Sequence, residues 1–354
     1  MSPLSLKYPI SVVILYVGGK SADVEELKYT VINIHDSLIK RGHVVRIVKV
    51  NKKNWRSAIH TPGQIYFNLV EDVTWELYQK VAWGLEKLGK AQVGHDKNML
   101  TYGLDKKAMK AKLYNSNIPT PKYRVFFSSD KYLHHIRKME YPLIVKPAGQ
   151  HAGIGISQDS VVIDESEAKA RINYLYNNYN GDVLVEEFID GREVTVTVIG
   201  NSKHPIVLPI AELIFKGEYQ SNWPIYSFNA KWNDDTWEYN DVRVKCPVEI
   251  SNELEEKINK LAKKTFSVLK INDVARMDMR IDSKNNKVYV IDINPSPSLD
   301  NHEENGAYRS ARALGWSYED FIESIVAITY KRVFGKLPDR IVERRFLLAM
   351  PSQV

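Results

Sequence analysis

The chain has 354 residues, 44% hydrophobic and 26% charged, with one cysteine, Cys246, and a net charge of +6. That length predicts two or three lobes, one cysteine excludes an internal disulfide framework, and strand-length apolar runs such as "PISVVILYV" fall far short of the ~20 residues of a membrane helix. The lysines are scattered rather than gathered with interleaved aromatics, so neither a nucleic-acid nor a membrane partner is expected.

At the N-terminus, "MSPLSLKYP" lacks the charged-then-apolar pattern of a signal peptide, which with the lone cysteine points to the cytoplasm. "YPISVVILYVGG" predicts a buried strand ending in a Gly18-Gly19 turn. Residues 21–42 then carry helical spacing at Leu27, Val31, Ile34 and Leu38, an acidic first turn, and Gly42 as a stop. "HVVRIVKV" is the next strand, and this strand–helix–strand opening predicts a parallel α/β lobe. "GQIYFNLVED" adds a strand and "TWELYQKVAWGLEKLG" a helix. "LDKKAMKAKLYNSNIPTP" reads as a helix closed by Pro119 and Pro121, at the entrance to a second lobe.

In "YPLIVKPAGQHAGIGIS" a strand ends at Lys146-Pro147, and Gly149, Gly153 and Gly155 punctuate the loop that follows. Glycine lets backbone N–H groups come close to an anion. The run matches neither the Walker pattern nor Gly-x-Gly-x-x-Gly, and a plain turn explains it equally well when taken alone. "GDVLVEEFIDGREVTVTVIG" gives two strands about Asp190-Gly191, with Glu186, Glu187 and Glu193 crowded together. Solvation at a strand edge accounts for such acids by themselves.

Val274–Ile281 and Lys287–Ile293 alternate apolar and polar residues, and "DSKNNK" between them supplies a turn, so a β-hairpin is expected. Period two puts Arg276, Asp278 and Arg280 on one face of the first strand, and Asp292 and Asn294 on one face of the second. If the faces coincide, two carboxylates and an amide oxygen converge beside a guanidinium. Such hard oxygens suit Mg²⁺, which keeps waters and a substrate phosphate as its other ligands. A solvated hairpin with chance charges explains the same strands.

Taken in order, "DKKAMKAKLYNSNIPTP", "PLIVKPA", the glycine loop, "VEEFIDGREVTV", "YSFNAKW", "RMDMRID…VYVIDINPSPS" and "ARALGWSYEDFIESIV" resemble the ATP-grasp superfamily and, within it, the D-alanine–D-alanine ligase family. The resemblance covers nearly the whole chain. It implies an α/β (α+β) ATP-grasp fold: an N-terminal parallel α/β substrate lobe over 1–98, a small central lobe with the glycine loop over 99–190, and a C-terminal lobe with closing loop and metal site over 191–354. It also implies an ATP-dependent carboxylate–amine ligase. Such an enzyme phosphorylates a carboxylate and lets an amine attack the acyl phosphate, with two Mg²⁺ (or Mn²⁺) ions bridging the ATP phosphates.

By this resemblance Asp278, Asp292 and Asn294 fall at metal positions, and Arg276 at the arginine that steadies the transferring phosphoryl group. Lys106 and Lys146 match lysines that reach the nucleotide phosphates, beneath the loop of Gly153 and Gly155. Glu186 and the backbone of Phe188 and Ile189 fall where adenine is held, and Glu193 where ribose hydroxyls are accepted. Lys231 matches a lysine on a mobile loop that closes on the γ-phosphate; Tyr226 lies on that loop, whose closure excludes water. The small-molecule partners implied are an amino acid or carboxylate and an amine acceptor, and the family expectation is a homodimer.

The chain also departs from the family. Asp292 stands where glutamate is usual. Ala152 and Gly153 replace the paired serines of true D-alanine ligases, and Ser298 replaces the glycine whose amide helps form an oxyanion hole. "LDNHEENGAYRSA" offers Glu303 and Glu304 where dedicated D-alanine ligases carry a Ser-Leu pair for the acceptor's carboxylate, and acids repel a carboxylate. Asp23 is a candidate to hold a substrate amino group, and His302, Arg309 and Arg312 are further candidates for substrate contact. The alternatives are a ligase joining an amino acid to a different metabolite, a non-catalytic ATP-binding sensor, and a kinase releasing a stable phosphorylated product.

Overall fold

Aliphatic residues dominate strand β1 (Ser11–Val17), and Val12, Val13, Ile14 and Leu15 are all fully buried. A parallel sheet covered on both faces imposes that pattern. β1 lies inside a four-stranded sheet ordered β2-β1-β3-β4, in which β2 (Val44–Val50), β3 (Ile65–Leu69) and β4 (Ala91–Gln92) run parallel to their neighbours. Helices α1 (Ala22–Lys40), α2 (Trp55–Ala58) and α3 (Glu76–Lys87) lie in the connections, and α1 buries Val31, Ile34 and Leu38 as its spacing predicts. The structure is a computed structural model that describes residues 9–18, 22–72, 75–94, 101–103, 105–127, 133–150, 152–179, 181–301 and 306–336.

Helix α4 (Lys106–Asn115) begins at Asp105, whose carboxylate caps it by accepting from the N–H groups of Lys107 and Ala108. The chain then enters an antiparallel four-stranded sheet, ordered β5-β8-β6-β7. Its strands are β5 (Tyr123–Phe126), β6 (Leu143–Pro147), β7 (Val161–Val162) and β8 (Val183–Glu187). Helix α5 (Glu165–Tyr179) packs Ala168, Ile172 and Leu175 into the same core as Val145 and Val185.

The third sheet is antiparallel, ordered β12-β11-β9-β13-β14, with β10 paired to β9. It consists of β9 (Gly191–Asn201), β10 (His204–Val207), β11 (Ala211–Phe215), β12 (Val242–Lys245), β13 (Asp273–Asp282) and β14 (Val288–Asn294). Passage from β8 to β9 depends on Gly191, whose φ is 147° and where a Cβ would lie 2.0 Å from the Ile281 carbonyl. Only glycine permits that approach. Between β11 and β12 the chain makes α6 (Phe228–Trp232) and α7 (Trp237–Asn240). Met109 and Leu113 of α4 and the Leu254, Ile258, Ala262 and Phe266 stripe of α8 (Asn252–Val268) share this sheet's core.

After α9 (Gly306–Arg312), helix α10 (Tyr318–Phe334) is buried nearly all round, which marks a core helix rather than a surface one. Its Phe321, Ile322 and Ile325 join Ile14, Ile34 and Phe67 in one core, so the last helix completes the first sheet. Arg332 of α10 forks Asp273 at 2.9 and 2.6 Å, and Asp273 also accepts from the Gly94 N–H at 2.8 Å. No helix among the described residues is long and apolar enough to cross a membrane.

Candidate active site

The expected hairpin is β13–β14, and its register answers whether the two polar faces coincide. Arg276 pairs with Asn294, Met277 with Ile293 and Asp278 with Asp292, so the four polar residues share one face. Strict alternation along β14 would place Val288 and Val290 on that face as well. It does not, because the register slips between Asp278 and Met279, where the partner steps from Asp292 to Val290 and Ile291 is the extra residue. Such a bulge re-aims the side chains beyond it. Val288, Val290 and Ile293 therefore turn into the core with Met277, Met279 and Ile281.

On the polar face, the Arg276 guanidinium stands 3.3 Å from Asp278, and Thr195 of the neighbouring β9 donates to the same carboxylate at 3.3 Å. Asp278 holds the already high pKa of Arg276 higher still. Asp292 keeps 40% of its side chain exposed, leaving room for a ligand. Asn294 accepts from the Ser296 N–H at 3.0 Å. Among the described residues no three His, Cys, Asp or Glu form a self-sufficient metal cage. Two carboxylates and an amide oxygen fit an ion that draws its remaining ligands from phosphate and water.

Opposite this floor stand the lysines. Lys106, at the first position of α4, reaches the Gln150 carbonyl of the glycine loop at 2.6 Å and lies 3.9 Å from Asp292. Burial lowers its pKa. Lys146 at the end of β6 pairs with buried Glu186 of β8. Burial works against the Lys146 charge, but Glu186 and then Asp292 outweigh it, and the pKa is raised. Glu186 is shared with fully buried Lys110 at 2.5 Å, which also donates to Thr120 at 2.7 Å.

The glycine loop and the segment carrying α6 are docked on one another. The Trp232 indole donates to the Ala152 carbonyl at 2.9 Å, the Phe228 N–H to the Ile156 carbonyl at 3.1 Å, and Gln158 exchanges hydrogen bonds with the Trp223 backbone. Gly153 has a φ of +80°, and a Cβ there would come 3.3 Å from the Phe228 nitrogen. Gly155 also has positive φ, +76°. Ser227 caps α6, and its hydroxyl binds Glu238 at 2.8 Å. Lys231 extends over the Tyr226 ring, 4.9 Å from its centroid. Burial, and then neighbouring Arg276, lower the Lys231 pKa.

Glu193 on β9 faces Arg280 of β13, which binds it at 2.8 and 3.2 Å and reaches the Ile189 carbonyl at 2.8 Å beside Phe188. Arg276, Asp278, Asp292, Asn294, Lys106, Lys146, Glu186, Glu193, Tyr226 and Lys231 thus line one region between the second and third sheets. Ser298, four residues beyond Asn294, is exposed, and its hydroxyl donates to buried Asp300 at 2.5 Å. Arg309 is committed to the Val244 carbonyl at 2.6 Å. Asp23 falls in the first turn of α1, but its side chain lies outside the described part, as do His302, Glu303 and Glu304 entirely. Two residues gained no role from sequence alone. Lys110 follows Lys106 by four positions, one helical turn, and Arg280 follows Asp278 by two, one strand repeat.

Comparison with known proteins gives this arrangement its context. A family profile described as D-ala D-ala ligase C-terminus matches residues 113–327. The uncharacterized protein y4sG of Sinorhizobium fredii is 29% identical over 85% of each chain. The D-alanine–D-alanine ligase of Carboxydothermus hydrogenoformans is 31% identical over 64% of this chain and 68% of that one. Among solved structures, the D-alanine–D-alanine ligase of Bacillus anthracis complexed with ATP superposes with a TM-score of 0.73 over 92% of this chain and 99% of that one, at 20% identity. Fold and family together define an ATP-dependent ligase of the ATP-grasp superfamily. Within that class, the chain belongs to the D-ala D-ala ligase family.

Proposed function

We propose that the chain phosphorylates the carboxylate of an amino acid with ATP and joins the resulting acyl phosphate to an amine, with D-alanine as both partners. The observation that carries this reading is the pairing of Asp278 with Asp292 and Arg276 with Asn294 on one face, opposite Lys106 and Lys146. Charge at both ends of a phosphoryl transfer calls for such a surrounding. Asp278, Asp292 and Asn294 would hold one or two Mg²⁺ ions, which when bound screen the nucleotide's negative charge from the incoming carboxylate. Lys106 and Lys146 would hold the phosphates beneath Gly153 and Gly155. The nucleoside would lie against Glu186, the Phe188–Ile189 backbone and Glu193. Arg276 would steady the moving phosphoryl group and then the tetrahedral adduct, with the Ser298 amide at its oxyanion.

Lys231 would approach the γ-phosphate from the α6 segment, and with Tyr226 would keep water from the acyl phosphate. The amine displaces phosphate from the acyl carbon and loses a proton, leaving amide, ADP and phosphate. We assign lobes to residues 1–98, 99–190 and 191–354, with the nucleotide between the second and third. Asp23 and the His302–Glu304 stretch are assigned to substrate, and a cytoplasmic homodimer is the expected form.

A second reading keeps the chemistry and changes the acceptor. The Ser298 hydroxyl is bonded to the Asp300 carboxylate, and if the Ser298 amide serves the oxyanion that negative charge would disfavour an acceptor bearing its own carboxylate nearby. ADP release with Mg²⁺-ATP over a panel of D- and L-amino acids, singly and in pairs, with products weighed by mass spectrometry, decides between them. D-alanine alone giving its dipeptide supports the first reading. Turnover only with a mixed pair supports the second. No ADP release with any pair, despite bound ATP, counts against both.

A further inference from the structure

Arg280 is 3% exposed and sits two residues beyond Asp278 on the same face of β13. Its guanidinium is spent on three separate pieces of chain. Nε and Nη2 both donate to Glu193 Oε2, at 3.2 and 2.8 Å. Nη1 donates to the Ile189 carbonyl at 2.8 Å, in the linker between β8 and β9. Nη2 also donates to the Pro224 carbonyl, two residues before Tyr226. The Arg280 Cζ lies over the Phe188 ring, 4.6 Å from the centroid, and Phe188 packs edge-on against Trp223 at 5.5 Å. Phe188, Ile225 and Val161 form one small apolar cluster with Trp223 and Ile156 against it.

Compensating one buried carboxylate needs a single charge, and a lysine supplies that. The rigid fork does more, because Nη2 divides its two hydrogens between Glu193 and the root of the segment that ends in Lys231. We propose that Arg280 is a positioning residue that couples the nucleoside end of the site to the segment carrying Lys231. This rests on the reading above, in which Glu193 and the Ile189 linker receive the nucleoside. Hydroxyl groups donating to Glu193 fix its carboxylate. A fixed carboxylate fixes the fork, and the fork holds Pro224. The α6 segment is then ordered before the phosphate end is engaged.

The test is hydrogen exchange of the amides in 223–232, with and without saturating adenosine, a nucleoside that has no phosphate to reach Lys106, Lys146 or Lys231. Calorimetry on the same samples reports binding. In the wild-type chain adenosine slows exchange in 223–232 by roughly tenfold, the ordinary scale of coupling between two sites. In Arg280→Met, adenosine binds and that slowing is lost. Arg280→Lys keeps the charge without the fork and carries the same test should the methionine variant not fold; it too loses the slowing. A purely structural Arg280 would raise exchange throughout the sheet while leaving the adenosine effect intact. Slowing that persists in either variant, or that is missing in a wild-type chain with adenosine bound, overturns the coupling alone. A wild-type chain that binds neither adenosine nor ADP overturns the nucleoside assignment and the coupling with it.

Discussion

Asp278 and Asp292 face each other directly across the β13–β14 ladder, with Arg276 and Asn294 as the next polar pair along it. Two like charges held opposite one another are unfavourable unless a cation stands between or beside them. Arg276 supplies one such cation, and the proposed divalent ion would supply the rest. Asp278→Asn and Asp292→Asn are each expected to cut turnover about 10²–10³-fold, the usual cost of losing a preorganised charge-stabilising group. Thermal unfolding of the metal-free variants should be unchanged or slightly later than wild type. Excess chelator should abolish ADP release and added Mg²⁺ restore it; turnover that survives chelation would remove the metal from the reaction.

Lys110 predicts a stability effect. It is fully buried with Glu186 at 2.5 Å and Thr120 at 2.7 Å. Breaking a buried pair by removing one partner typically costs about 3–5 kcal/mol. Lys146 still serves Glu186, so Lys110→Met should lie near the bottom of that range, about 3 kcal/mol in urea unfolding. A loss below about 1 kcal/mol, the scale of an exposed pair, would show that the buried charge adds little.

The same cluster sets a pH dependence. Burial pushes the Glu186 pKa up, but Lys110 and Lys146 outweigh burial and the net shift is downward. A carboxyl group lowered in the folded state stabilises the fold above its unfolded pKa of about 4.3, and that stabilisation disappears as pH falls through the folded value. The stability gap between wild type and Glu186→Gln should therefore be widest near neutrality and shrink as the solution is acidified below about pH 4.3. A gap that widens in acid contradicts the assignment.

The clasp between the two loops predicts a change in product ratio rather than in folding. Trp232→Phe removes the indole bond to Ala152, worth about 1 kcal/mol. Gly153→Ala forces a left-handed φ on a residue that resists it, and its methyl meets Phe228. Both variants should release more ADP per amide formed, because water reaches the acyl phosphate. An unchanged ratio in both would mean that the clasp does not guard the intermediate.

Much of the site could be read from the amino-acid sequence because period two is a strong signal. Arg276, Asp278, Asp292 and Asn294 alternate with core residues, and a turn between them allows the two polar faces to meet, as the β13–β14 register then shows they do. The bulge at Ile291 was not legible. Strict alternation groups Asp292 with Val290, and only packing of Val288, Val290 and Ile293 against α8 and α4 shows that the strand changes face. Lys110 stayed hidden because a lysine on a lysine-rich helix looks like a solvated one, and its burial depends on Glu186, which lies 76 positions away. Arg280 was legible as a member of the face, but the carbonyls it holds come from two loops whose approach is tertiary. In the first sheet, strands and helices followed their hydrophobic spacing. That α10 would close the core of this sheet could not be seen, since an all-round apolar helix names no partner.

That closure bears on how the chain is made. Phe321, Ile322 and Ile325, which share a core with Ile14 and Phe67, are synthesised more than 250 residues after Phe67. Domains generally fold as units while synthesis proceeds. Here strands β1 and β3 must wait for more than 250 further residues before their apolar face is covered. Expressed alone, the N-terminal third should be an aggregation-prone fragment, and mixing it with a separately produced remainder should rescue it.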